Sequence, residues 1–292
     1  MKNLLYILGL IILFLANACE KNIDWETKEL PVMLVVEGSF TNEYKKHEVK
    51  LSLSAEYFYN KPTPHVSGAI LSITDGKNVY NMIENPAGSG SYETVDSLAG
   101  VAGSTYTLNI HLSEPVNNAT DYYASGQLIQ GLEIDSLITA LYENPLFNMD
   151  SEMDSLILIA VTIGQDPEDI NNYYEMNLYN EGELIHDTID EVYITNDNEG
   201  INGNIINSFL FFEQFDEGNT VTLEMISVEK AYFDFVATSQ KLANQSFDPF
   251  DMSGPPANAV GNIEGAEAIG FFKVGYVSRA SAVASYPEQE KE

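Results

Sequence analysis

Cysteine is nearly absent: the 292-residue chain has one, Cys19. A single thiol closes no intrachain disulfide, so the fold must be held by its core. Histidine occurs four times, at His47, His65, His111 and His186, far apart and in different segments. His47-Glu48 lacks the second histidine of a His-Glu-x-x-His zinc motif, and surface or loop positions are the ordinary reading of all four. No Gly-x-Ser-x-Gly nucleophile elbow occurs. Positive charge is scarce: 13 Lys and Arg face 44 Asp and Glu, a formal net charge of −31. Such a chain lacks the basic surface that nucleic-acid phosphates or anionic lipid headgroups require, which excludes both as electrostatic partners. Acidity of this degree keeps a secreted protein soluble, and its sharper reading is binding of a cation or a cationic ligand. With so many acids, close carboxylate pairs arise by chance, and no glycosidase pair stands out. No long apolar run follows residue 15, so the sequence holds no second membrane segment.

One short apolar run is present. Lys2 precedes Leu4 to Leu15, and Ala16-Asn17-Ala18-Cys19 follows. Charged start, apolar run and small-residue cleavage site are the layout of a secretory signal. Twelve helical residues rise only about 18 Å, short of a bilayer core of roughly 30 Å. Ala16 to Cys19 resembles a bacterial lipobox, with Ala16 in place of the usual leucine three residues before the cysteine. Residues 1–18 then form a lipoprotein signal peptide, Cys19 is the lipidated residue, and residues 19–32 are a tether. Two or three acyl chains on one cysteine anchor a protein stably, where one binds only marginally. Glu20 rather than Asp after the cysteine argues against inner-membrane retention, and the acidic tether resembles signals for the outer cell surface.

The rest reads mainly as strand, and a hydrophobic content of 45% is enough for a sizeable core. Met33 to Gly38, His47 to Ser54, Ala69 to Ile73, Val79 to Ile83, Tyr92 to Val95 and Tyr106 to Leu112 carry strand patterns, with turn residues such as Asp75-Gly76 and Gly88 to Ser91 between them. Six short strands at this spacing predict an immunoglobulin-like β-sandwich over 33–126. A second β-rich domain is expected over 127–279, from Ile134 to Leu141, Ser155 to Ile163, Tyr174 to Leu178, Ile205 to Phe212, Val221 to Met225 and Ile269 to Ser278. Val228, Tyr232, Phe235, Val236 and Leu242 recur at helical spacing and predict one long helix over 228–244, with Ser227 as its N-cap. Phe247 to Asn258 reads as a loop, and 280–292 as a flexible tail.

Other features carry less. Thr195 to Gly200 has a partial likeness to a calcium loop, but position one is Thr and no acid stands at Ile206. Tyr122-Tyr123 and Tyr173-Tyr174 each place one ring on either face of a strand, and the outward rings are candidates for a binding surface. Asp-Ser-Leu at 96–98, 135–137 and 154–156, with Asp187-Thr188-Ile189, resembles O-glycosylation acceptor sites, a permissive pattern that strand-end Asp-Ser also satisfies.

Several stretches together resemble the lipoprotein family named domain of unknown function 4249, from gram-negative bacteria. They are Leu34 to Gly38, Ile134 to Leu137, Asp166-Pro167 before Asn172 to Tyr174 and Asn180 to Gly182, Ile226 to Tyr232, Pro255 to Asn258 and Gly261 to Gly265. The segment Gly265 to Gly270 departs from the family's shorter Gly-Ala-Leu-Gly-like step. The likeness spans nearly all of the chain after Cys19. It implies no enzymatic chemistry, cofactor or metal. It does imply a lipid-anchored outer-membrane protein facing the cell surface or the periplasm, accessory to a TonB-dependent nutrient transporter. A structural or adhesion lipoprotein is the alternative expectation, and a glycan-active enzyme a third.

Overall fold

The computed structural model describes residues 31–55, 63–143, 156–165, 171–197, 205–206, 210–211, 213, 215–243 and 259–285. They are mainly β, with one helix among them. The first seven strands are β1 (Leu34–Thr41), β2 (Glu48–Leu53), β3 (Ile70–Thr74), β4 (Val79–Glu84), β5 (Ser91–Thr94), β6 (Thr105–Val116) and β7 (Ala119–Gln127). Their hydrogen-bonded order is β1-β2-β5-β4-β3-β6-β7. Folded between β4 and β3, this gives layers β1-β2-β5-β4 and β3-β6-β7, the ABED and CFG sheets of an immunoglobulin-like sandwich. Alternation builds the core directly: Tyr106, Leu108, Ile110 and Leu112 of β6 are all buried, and the residues between them are not.

Tyrosines hold the sandwich where no disulfide exists. Tyr122 is buried and its hydroxyl donates to the Val116 carbonyl (2.8 Å), while Tyr123, on the opposite face, is exposed. The Tyr92 hydroxyl donates to Val66 O (2.9 Å) and accepts from Ala69 N–H (3.0 Å). Tyr106, near the start of β6, accepts from Val101 N–H at 2.8 Å and packs on Phe40 with ring centroids 4.2 Å apart. This is the tyrosine corner of such sandwiches. Tyr106→Phe leaves the Val101 amide unpaired and is expected to cost about 1–2 kcal/mol in urea unfolding; an unchanged midpoint would contradict that role.

The first core is not confined to 33–126. The last strand, β17 (Ala268–Val283), pairs in parallel with β1 from Leu34↔Ala268 to Thr41↔Gly275, and its Phe272 and Val274 are buried in the sandwich core. A two-residue strand, β16 (Ile263–Glu264), pairs with β7 at the far edge. β17 then continues antiparallel to β15 (Thr220–Val228), through Ser227↔Tyr276 to Thr220↔Val283. Beyond β15 stands β10 (Tyr173–Asn180), which carries β11 (Glu183–Leu184) and β12 (Tyr193–Asn196) on its outer edge. A second sheet pairs β8 (Glu133–Glu143), β13 (Ile205–Ile206) and β14 (Leu210–Phe211) with β9 (Leu156–Gln165). The strand expected over Ile205 to Phe212 is thus described as two short pairings, 205–206 and 210–211. The second core packs Leu132, Ile134 and Leu137 against Tyr174, Met176, Leu178, Val221, Leu223 and Met225.

Two expectations are corrected. The tail expected over 280–292 is strand as far as Val283, because Ala280, Ala282 and Ala284 alternate toward the second core. Small apolar side chains at period two make a strand face that large residues would overfill. The helix, α1, spans Lys230–Ala243 rather than 228–244, and Ser227 is not its cap. Pairing with Tyr174 and Tyr276 keeps Ser227 in β15, so the helix starts two residues later, with the Glu229 carbonyl accepting from Tyr232 and Phe233 N–H.

Candidate functional site

Alternation sends the apolar residues of β10 and β15 into the second core, and Phe272 and Val274 of β17 into the first, and leaves Glu175, Asn177, Glu224, Lys273 and Arg279 on the opposite face, beside α1. There the charges form one connected chain. Lys273 Nζ donates to both oxygens of Glu175 at 2.8 Å each, and the two side chains retain 15% and 6% exposure. Asn177 Nδ2 bridges Glu175 (3.0 Å) and Glu224 (2.9 Å). Arg279 Nε donates to Glu224 at 2.6 Å, and its guanidinium also reaches Glu43, at 2.7 Å, from the turn after β1. The Tyr232 ring of α1 lies under Lys273 Nζ, 5.1 Å from the centroid.

Burial alone would lower the Lys273 pKa, but the Glu175 charge outweighs it and holds the ammonium above its ordinary range. Burial would likewise raise the Glu175 carboxyl, and Lys273 reverses that, holding it below its ordinary range. The pair is therefore ionised. Burial together with the Glu224 charge pushes the Tyr179 phenol up to about 12.

Next to this network a cleft of about 540 Å³ opens between the faces of β1, β2 and β17, the helix and the β11–β12 connection. Its apolar side is Val35, Ile189, Ile269, Tyr232, Phe235 and Phe271. The aromatic rings brace one another: Phe271 is 5.1 Å from Tyr232 and 5.4 Å from Phe235, centroid to centroid. Glu37, Glu48, Lys50, Asp187 and Lys273 supply the charged groups. The connection carrying Asp187 and Ile189 is tied down twice. Gln240 of α1 donates to Val192 O at 2.6 Å, and His186 Nε2 lies 2.7 Å from Glu213 Oε1.

Cys19 and the loop Phe247 to Asn258 lie outside the described residues, as do residues 144–154 and 198–204. Thr195 and Asn196 pair with β10, and Asp197 Oδ1 accepts from Asn172 N–H at 2.5 Å, so this half of the calcium-like stretch serves the sheet. The four histidines are not brought together. His47 is buried against Phe40 with Nε2 2.9 Å from Leu98 O, His65 bridges to Ser52, His111 meets Asp121 at 2.7 Å on the exposed face of β6, and His186 holds Glu213. Burial lowers the His47 pKa, whereas the hydrogen bond to Glu213 raises that of His186. The outward ring of Tyr173 packs on Phe233 of α1, 5.2 Å away, and Tyr123 stays exposed.

A family model described as domain of unknown function (DUF4249) matches residues 20–281. The chain belongs to this family. The match begins at the residue after Cys19 and takes in every described strand of the DUF4249 chain, ending within β17. No curated protein matches it in sequence. Lys273, Glu175, Glu224 and the cleft were not singled out from the sequence. The available signal was a lone charge inside apolar strands, in Gly-Phe-Phe-Lys273-Val and Tyr-Tyr-Glu175-Met.

Proposed function

We propose that this DUF4249 chain is a non-catalytic, lipid-anchored outer-membrane protein that captures a ligand beside a TonB-dependent transporter. The observation that carries the binding reading is the cleft, whose volume and mixed apolar and charged lining suit a small ligand or a side chain of a larger one. Cys19, following an apolar run and small residues, supports the anchor. Val35 in the cleft is sixteen residues beyond Cys19. At 3.3–3.6 Å per residue, the intervening chain lets Val35 stand at most roughly 58 Å from the anchored cysteine. That reach favours a lateral partner in the same membrane. The transporter itself comes from the family resemblance, as does the surface or periplasmic placement.

Cys19→Ser tests the anchor. The substituted protein is expected to leave the membrane fraction or to remain unprocessed; unchanged fractionation and mass would refute the lipoprotein reading. An anchored protein that never meets a transporter would instead fit the structural or adhesion alternative.

A further inference from the structure

The cleft's charges are unevenly satisfied. Lys273 is engaged by Glu175, so its charge is not available to an incoming anion. Glu48 accepts from the Ser91 hydroxyl, and Lys50 Nζ stands 3.9 Å from its other oxygen. Glu37 and Asp187 are exposed and have no hydrogen-bond or ion-pair partner among the described residues. In register, Glu37 stands between Phe271 of β17 and Lys50 of β2. With Lys273 neutralised by Glu175 behind it, the carboxylates Glu37, Glu48 and Asp187 against Lys50 leave the cleft and that pair two charges negative together, in a chain of net charge −31. An anionic ligand would meet repulsion there. An ammonium would find carboxylates and the aromatic rings of Phe235, Phe271 and Tyr232 in the same lining. Aromatic rings and carboxylates together recognise organic cations.

We infer that the cleft takes an organic cation with an apolar body, its hydrocarbon part against Phe235 and Phe271 and its charged nitrogen toward Glu37 and Asp187. This rests on the ligand-capture reading and adds the class of ligand. Charge complementarity selects it: the same aromatic wall would accept a neutral or an anionic aryl compound, and only the carboxylates separate the three.

The experiment is calorimetric titration of the full chain with 2-phenylethylammonium, 2-phenylethanol and 3-phenylpropanoate, which share an aryl body and differ in charge. The ammonium is expected to bind at least about tenfold more tightly than the other two. Glu37→Gln with Asp187→Asn is expected to remove about tenfold of that affinity and to leave the alcohol unaffected; both side chains are exposed and unpartnered, so the fold is not at risk. Equal or tighter binding of the carboxylate, or no effect of the double substitution, overturns the inference. If the neutral or anionic probe prevails and Phe271→Ala abolishes its binding, ligand capture stands and only the cationic class falls. If none of the three binds, both fall.

Discussion

Lys273→Met is expected to destabilise the protein by about 3–5 kcal/mol, because it leaves the Glu175 carboxylate buried without its counter-charge. Asn177 and the Tyr232 hydroxyl remain as hydrogen-bond partners, but neither carries a positive charge. The variant escapes part of the cost by protonating Glu175, so its deficit against wild type should shrink as the solution is made acidic. Removing both charges, as Lys273→Met with Glu175→Leu, should restore most of the lost stability, since well-packed apolar replacements of a buried pair are often neutral or better. Urea unfolding of the three proteins measures this directly. Equal stability of Lys273→Met and wild type would mean that the pair is solvated. The signs of the two pKa shifts also set the pH window. Glu175 has its pKa lowered, so its contribution is present above about 4.5 and is lost as pH falls through the folded value. Lys273 has its pKa raised, so its contribution is complete below about 10.5 and is lost as pH rises through the folded value.

Gly270→Ala is expected to cost on the order of 3 kcal/mol or more. Gly270 has φ +102°, a conformation side chains rarely adopt, and an added Cβ would collide with the Val36 carbonyl oxygen of the neighbouring strand. Val36↔Gly270 is a register pair near the start of the parallel β1–β17 ladder, and a Cβ added at Gly261 would in turn collide with the Gly270 carbonyl oxygen. Three backbone passes meet there, so none can retreat cheaply. Gly76→Ala is the matched control: φ is +83°, but nothing lies within 4 Å of the added carbon. It should cost only the strain of the conformation, about 1 kcal/mol. Similar losses at the two sites would show that the close approach at Gly270 does not constrain the fold.

Much of the first sandwich was legible because its strands obey simple alternation. Val49 and Leu51, Leu71 and Ile73, and the four inward residues of β6 all follow the period-two reading. The Asp75-Gly76 turn was also legible, and Asp75 Oδ1 accepts from both Lys77 and Asn78 N–H. The contribution of β17 to that sandwich was not, because a parallel pairing more than two hundred residues away leaves no local mark. Its extension over Ala280 to Val283 was hidden by side chains too small to register as an apolar pattern. Ser227 looked like a cap because the helical period begins near it, but two ladders of strand hydrogen bonds outweigh one capping bond. The cleft could not be read at all, since its lining comes from β1, β2, β17, α1 and a connection near residue 188, which only the fold brings together.

We propose that this DUF4249 chain works from a lipid anchor beside an outer-membrane transporter. It is tested most directly by mild cross-linking of native membranes, affinity recovery of the full-length protein and mass spectrometry of what accompanies it. A TonB-dependent barrel is expected to be enriched with the wild-type protein and lost with Cys19→Ser. Recovery of the wild-type protein with no outer-membrane barrel enriched would contradict the proposal.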